Sequence, residues 1–320
     1  VPSSARAILA VIGAAALFGT AGTARELGPD GTTALGVGVT RIVVGTAVLW
    51  LAVWFGCRNG SIRAVGAPVR SNRWLILLGG LGVAIYTPMF FEAVERTGVA
   101  VGTIVGVGSG PFFAGALEWA WRGVRPSRWW MLGTVVTVSG GAVLVLAQNA
   151  SGSTTDPVDA VGVAFALGAG FGYALYSVTS KMVMERGVHS VVTLASSFLV
   201  GAIGVALLAV REPFAWLTST SGLLLALQLG VFATGIAYLL FGYGLHRLTS
   251  ATTVTLVLAE PLTATMLAVL VLDESIVPVA WLGIVALLVG LLIVGRTAQV
   301  TVETVADVAG APGVPDQSGV

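Results

Sequence analysis

Charge is scarce in this chain: 10% of its 320 residues are Asp, Glu, Lys or Arg and 56% are hydrophobic, whereas soluble globular domains carry roughly a quarter charged residues. An ordinary soluble domain is thereby excluded. The single cysteine, Cys57, excludes a disulfide framework and any multi-cysteine metal site, and it reads as a passive thiol at a helix end. The only histidines, His189 and His246, fall at span boundaries without metal-ligand spacing. There is no HExxH, no GxSxG and no carboxylate pair inside a span, which argues against an intramembrane enzyme. The Gly106-Val107-Gly108-Ser109-Gly110 stretch has neither a preceding strand nor a following Lys-Ser/Thr, so it is no phosphate loop, and no Walker motif couples the chain to ATP. No cofactor or metal is expected. A net charge of +1, with arginines in short clusters, leaves no continuous basic face for nucleic acid. No loop is large enough for a receptor or scaffold.

What the chain does have is apolar runs of 18 residues or more, each able to cross a hydrocarbon core of about 30 Å. Set against the polar breaks, they give ten spans near 7–25, 34–56, 74–94, 98–121, 129–148, 160–181, 190–210, 221–243, 249–272 and 278–295. The run after Arg6 leads directly into a second span, so it is read as a permanent helix and not as a cleaved signal. The tail 296–320 lacks helical periodicity and is expected to be disordered. The sequons at Asn59 and Asn149 matter only in a secretory pathway, and the abundance of Gly and Ala suits a bacterial source, with the inner membrane as its location.

Charge placement orients the spans. With the N-terminus in the cytoplasm, twelve basic residues fall on that side: Arg6, Arg58, Arg63, Arg70, Arg73, Arg122, Arg125, Arg128, Lys181, Arg186, Arg247 and Arg296. The other side receives three, Arg25, Arg96 and Arg211, with Asp30, Asp156, Asp159, Asp273 and Glu274. Such asymmetry places both termini in the cytoplasm. Trp74, Trp129, Trp130 and Trp281 sit at span ends as interfacial anchors.

The two halves repeat. An offset of 150 aligns Pro111 with Pro261, Gly133 with Gly283 and Gly140 with Gly290; an offset of 153 aligns Phe18-Gly19 with Phe171-Gly172 and Thr40 with Thr193. Five spans are an odd number, so the second unit enters from the opposite face. The expected fold is therefore an all-α membrane protein of ten transmembrane helices in two inverted five-helix repeats, residues 1–148 and 159–295, joined by an external linker 149–158. Inverted repeats around a central site are a transporter architecture.

Several stretches carry a resemblance: Leu17-Phe18-Gly19-Thr20, Thr40-Arg41, Ala259-Glu260-Pro261, Leu272-Asp273-Glu274, and Trp281-Leu282-Gly283 with Gly290. Together, over residues 7 to 295, the chain resembles the EamA-like branch of the drug/metabolite transporter superfamily. The resemblance implies ten helices, cytoplasmic termini and export of amino acids or other small metabolites. One departure is Trp121-Arg122-Gly123 at the end of the fourth span, where the pattern would have Gly-Glu.

Glu260 is the sharpest single signal. An acidic side chain near mid-span costs about 2.5–3.5 kcal/mol on insertion scales, so it should face a wet cavity or a partner. Pro261 removes a backbone donor and displaces the carbonyl of Val257. Thr253 and Thr263 share that face of an unbroken helix. Glu260 is read as a contact for a substrate amine or as a proton-carrying carboxyl, against a plain interhelical hydrogen bond. In the sixth span Tyr173, Tyr176, Ser177 and Ser180 form a polar-aromatic stripe, with Thr20 and Thr23 as their counterparts in the first. Tyr86, Thr87 and Phe90 beside Pro88, and Thr234 with Tyr238, complete a pocket expected among the first, third, sixth, eighth and ninth spans. For each tyrosine, ordinary packing is the competing reading. Arg41, nearer the outer end of its span, is read as structural because a long arginine can snorkel; a substrate carboxylate is the alternative. Gly98, Gly102, Gly106 and Gly110 make overlapping GxxxG units for close helix packing. Glu118 and Arg122 read as a helix-end ion pair.

The leading function is a secondary transporter exporting amino acids or related metabolites. Multidrug or other metabolite efflux is the alternative, ahead of an intramembrane enzyme or a receptor. The expected partners are a small-molecule substrate and the lipid bilayer. A homodimer is compatible with the sequence, although nothing in it calls for one.

Overall fold

The computed structural model describes residues 3–149, 159–271 and 277–310, with backbone alone at 3, 98–100, 148, 149 and 299–310. Every regular element among these is helical. The helices are α1 (Ser3–Glu26), α2 (Ala34–Arg58), the short α3 (Gly66–Ser71), α4 (Arg73–Arg122), α5 (Arg128–Asn149), α6 (Ala160–Glu185), α7 (Ser190–Leu208), α8 (Thr220–Leu227), α9 (Ala237–Arg247), α10 (Ser250–Val257), α11 (Glu260–Val271) and α12 (Pro278–Gly310). A π-helical stretch, Gln228–Ile236, joins α8 to α9 into one rod. Nine helical stretches among the described residues are long and apolar enough to cross a bilayer.

The remaining crossing lies inside α4. As a straight helix its 50 residues would reach roughly 75 Å, far more than a bilayer. Instead it folds back: a Cβ on Gly102 would lie 3.0 Å from the Cα of Val94, and one on Gly106 3.4 Å from the ring of Phe90. The third and fourth expected spans are thus two antiparallel arms. Pro88 and Pro111, both inside the helix, do not interrupt either arm.

Two glycine pairs tie the repeats together. A Cβ on Gly140 would meet the carbonyl oxygen of Gly283 at 2.8 Å, and one on Gly290 would meet that of Gly133, also at 2.8 Å. The pairs are reciprocal, the earlier glycine of α5 against the later one of α12 and the converse. That is what a two-fold relation between equivalent helices requires, and it makes α5 and α12 antiparallel, as inverted repeats demand. No side chain could separate the backbones here, so dispersion between backbones replaces a hydrophobic drive that lipid cannot supply. The most extensive of the other contacts also cross between repeats, with α4 on α6 and α7, α2 on α7 and the π segment, and α1 on α9 and α11.

Two expectations change. The ninth span is not one helix but breaks at Leu258–Ala259 into α10 and α11. The disordered tail expected from 296 does not begin there, because α12 continues to Gly310. Thr297 to Ala309 contains neither Gly nor Pro, so nothing stops the backbone before the Gly310-Ala311-Pro312 run. Residues 311–320, the linker 150–158 and the Asp273-Glu274 pair lie outside the described residues.

Candidate functional site

Glu260 opens α11. Before it, the chain closes α10 with tight turns, the Leu258 amide donating to Thr255 O at 3.0 Å and the Ala259 amide to Leu256 O at 3.1 Å. Pro261 then suits the first turn of a new helix, where its missing N–H costs nothing. The carboxyl therefore stands at a mid-membrane helix N-terminus, where the dipole favours negative charge. Discontinuous helices of this kind place polar backbone and substrate sites in transporters. α1 presses on the break at Gly19, where a Cβ would lie 2.7 Å from the Glu260 carbonyl oxygen.

A cavity of about 240 Å³ leads from Glu260 to the exposed Arg25 at the end of α1. Its walls include Tyr86, Thr87 and Phe90 of α4, Tyr173 and Tyr176 of α6, and Tyr238 of α9. Tyr86 stacks on Phe90 with ring centroids 5.6 Å apart, and Phe198 meets Tyr238 edge-on at 4.4 Å, the geometry that aromatic quadrupoles prefer. The Tyr173 hydroxyl is buried without a hydrogen-bond partner among the described residues. Buried hydroxyls are rarely left so, and this one belongs to a side chain lining the cavity.

Arg41 lines the same cavity as Glu260. Its Nε donates to Thr234 Oγ1 at 3.1 Å, while the Thr234 hydroxyl donates to Leu229 O at 2.7 Å. The wide π turns thus carry the acceptor that anchors the guanidinium, and such turns often occur at functional sites. Close approach of α2 permits it: a Cβ on Gly45 would strike Thr234 Cγ2 at 2.3 Å.

Of the residues read from sequence as lining the pocket or sharing the face of Glu260, Ser177, Ser180, Thr20, Thr23, Thr234, Thr253 and Thr263 are not in the cavity wall. Ser177 turns its hydroxyl back to Tyr173 O at 2.9 Å, and Thr253 to Thr249 O at 2.8 Å. Thr20 donates to Leu17 O and accepts from Gln228 Nε2 at 2.9 Å, tying α1 to the π segment. Gly106 and Gly110 face Phe90 and Tyr173, and Gly102 faces Val94, so this seam packs α4 on itself and on α6; the surroundings of Gly98 lie outside the description. The sequence reading missed Phe198, Leu229 and Gly38 in the wall, none of which carries a polar signal of its own, and Thr103, a hydroxyl residue set among the glycines of the fourth span.

At the opposite face the two repeats are joined by charge. Glu118, buried on α4, accepts from the amides of Ser250 at 2.8 Å and Ala251 at 3.0 Å and pairs with Arg122 at 2.5 Å. Arg122 also pairs with Glu185, and Lys181 donates to His246 O at 2.8 Å.

Ten crossings in inverted repeats, a broken helix at mid-membrane and a cavity ending on a carboxylate define a multi-pass membrane transporter. The chain belongs to the EamA-like transporter family, which it matches over residues 5–146 and 160–296, once for each repeat. It is 37% identical over 287 residues to the uncharacterized transporter YwfM of Bacillus subtilis, covering 89% of this chain and 92% of that protein. It is 27% identical to an uncharacterized transporter of Clostridium kluyveri over 69% of this chain and 71% of the other. A solved crystal structure superposes with a TM-score of 0.76 at 22% identity, covering 92% of this chain and 98% of the other; that likeness concerns the fold.

Proposed function

We propose that the protein is a secondary transporter, a carrier and not an enzyme, that exports small amine-bearing metabolites, amino acids foremost, across the bacterial inner membrane by alternating access. The observation that carries this reading is the placement of Glu260 and Arg41 in one aromatic-walled cavity. A carboxylate and a guanidinium offer complementary partners to the ammonium and carboxylate of a zwitterion, and ring faces favour an ammonium over a neutral amine. The Tyr173 hydroxyl supplies a further polar group to a bound solute. The purified protein in liposomes is expected to move labelled amino acids, faster with a proton gradient if Glu260 also carries the coupling proton. Transport of large lipophilic cations alone, with no amino acid moved, would replace this reading with multidrug efflux.

The orientation belongs to the same proposal, with both termini cytoplasmic on the strength of the arginine distribution. Cys57 is exposed at the end of α2 and is the only thiol in the chain. A membrane-impermeant maleimide is expected to label it only after the cells are permeabilised. Full labelling of intact cells would invert the topology.

A further inference from the structure

Glu260 lines a second cavity that the transport site described above does not use. This space, of about 340 Å³, lies between α1, the second arm of α4, α5 and α11. Its chemistry differs from that of the first. Ile104, Val138, Ala142, Val145, Ala264 and Ala268 are among its lining residues, and Glu260 is its only charged one. Thr137, the polar residue on its α5 wall nearest the α12 seam, already spends its hydroxyl on Gly133 O at 2.7 Å.

The two cavities meet. Gly22, Thr103, Val107 and Glu260 line both, and nothing lies within 4 Å of where a Cβ on Gly22 would point. A solute held at Glu260 therefore has two directions open to it: a polar-aromatic one toward Arg41, and an apolar one between α5 and α11. α11, which forms one side of the second, is only partly covered by other helices along its length.

We propose that the second cavity is a side-chain subsite of the transport site. Resting on the reading of Glu260 as the substrate's ammonium contact, it receives the apolar group of an amino acid whose ammonium is at Glu260, and so selects branched or aromatic apolar side chains over small or polar ones. The shared carboxylate argues for a solute over a lipid tail. A hydrocarbon chain filling the cavity would lie against Glu260 and give that group nothing in exchange for water, whereas an amphipathic solute satisfies the carboxylate and the apolar wall together. Burial of apolar area supplies the discrimination, and one methylene is worth on the order of 10- to 200-fold in such pockets.

The test is transport of labelled L-leucine and glycine by the full chain in liposomes, for the parent, Ala142→Leu and Ala268→Leu. The two substitutions fill the cavity from different helices, and thermal unfolding in detergent reports whether each variant is folded. The parent is expected to favour leucine over glycine by about tenfold or more, and either variant to bring that ratio close to one. Unchanged ratios in both folded variants would overturn the subsite while leaving the amino-acid reading in place. Loss of co-purified phospholipid with an unchanged ratio would make the cavity a lipid site and overturn it equally. A parent that moves polar amino acids but not leucine would overturn the subsite alone, whereas one that moves no amino acid would remove the functional reading and the subsite with it.

Discussion

Glu260→Gln is expected to fold and purify like the parent and to lose transport by roughly ten- to a hundredfold. The magnitude follows from what the change removes. A hydrogen bond to a charged group is worth about 1.5–3 kcal/mol, and 1.4 kcal/mol is tenfold in an equilibrium. The amide keeps the shape and much of the hydrogen bonding of the carboxyl, so α11 retains its first turn and α1 its contact at Gly19. What is lost is the charge that attracts an ammonium, together with the site that could carry a proton. Removing a carboxyl from a low-dielectric position relieves the fold of a group that is costly to bury, so a melting temperature equal to or above that of the parent should accompany the loss. Glu260→Asp should fall between, since it keeps the charge but draws it back toward the helix. Full transport by folded Glu260→Gln at several pH values would reduce Glu260 to a packing residue at a helix break.

Arg41 gives the same argument from the other side. It belongs to a different repeat from Glu260, yet both reach one cavity. Sequence reasoning treats a lone arginine near a span end as a snorkelling side chain, because its partner cannot be seen from spacing. Here that partner, Thr234, is 193 residues away and is aimed by π-helical turns that have no composition of their own. Glu260, by contrast, was legible because the cost of an acid in mid-membrane does not depend on its neighbours.

The same distinction runs through the fold. Ten crossings and the repeat could be read from apolar length and from Gly133, Gly140, Gly283 and Gly290, because bilayer thickness and backbone contact act on local sequence. The reversal inside α4 fell where expected, between the third and fourth spans. The break before Glu260 did not: Leu258 and Ala259 carry no turn chemistry, and Pro261 alone reads equally as a kink. Counting through an unbroken helix puts Thr253 on the face of Glu260, and once the chain turns at 258–259 that phase is lost. Ser177 failed for a different reason, since a serine on the right face can still spend its hydroxyl on its own helix.

Glu118 carries the largest expected effect on stability. From sequence it is half of an i,i+4 ion pair, a feature worth a few tenths of a kcal/mol on an exposed helix. In the folded chain its side chain is 2% exposed and that of Arg122 15%. Besides Arg122, Glu118 holds the amides of Ser250 and Ala251, the first residues of α10, whose N–H groups have no helical partner of their own. One carboxylate thus caps a helix of the second repeat from a helix of the first, near the point where α9 turns into α10. Glu118→Ala would leave Arg122 with Glu185 as its remaining carboxylate partner and two buried amides unsatisfied at once. Breaking one side of a buried pair costs about 3–5 kcal/mol. Glu118→Gln should cost less, because its amide oxygen can still accept from one of the two N–H groups, although it cannot pair with the guanidinium. Thermal unfolding of the detergent-solubilised variants is expected to rank the parent above Glu118→Gln and Glu118→Ala lowest, with the latter expressing poorly. Arg122→Ala should fall above Glu118→Ala, since it leaves the α10 cap in place. Equal melting temperatures for the parent and Glu118→Ala would mean that water or a neighbouring side chain replaces the cap, and that this junction between the repeats is held by packing alone.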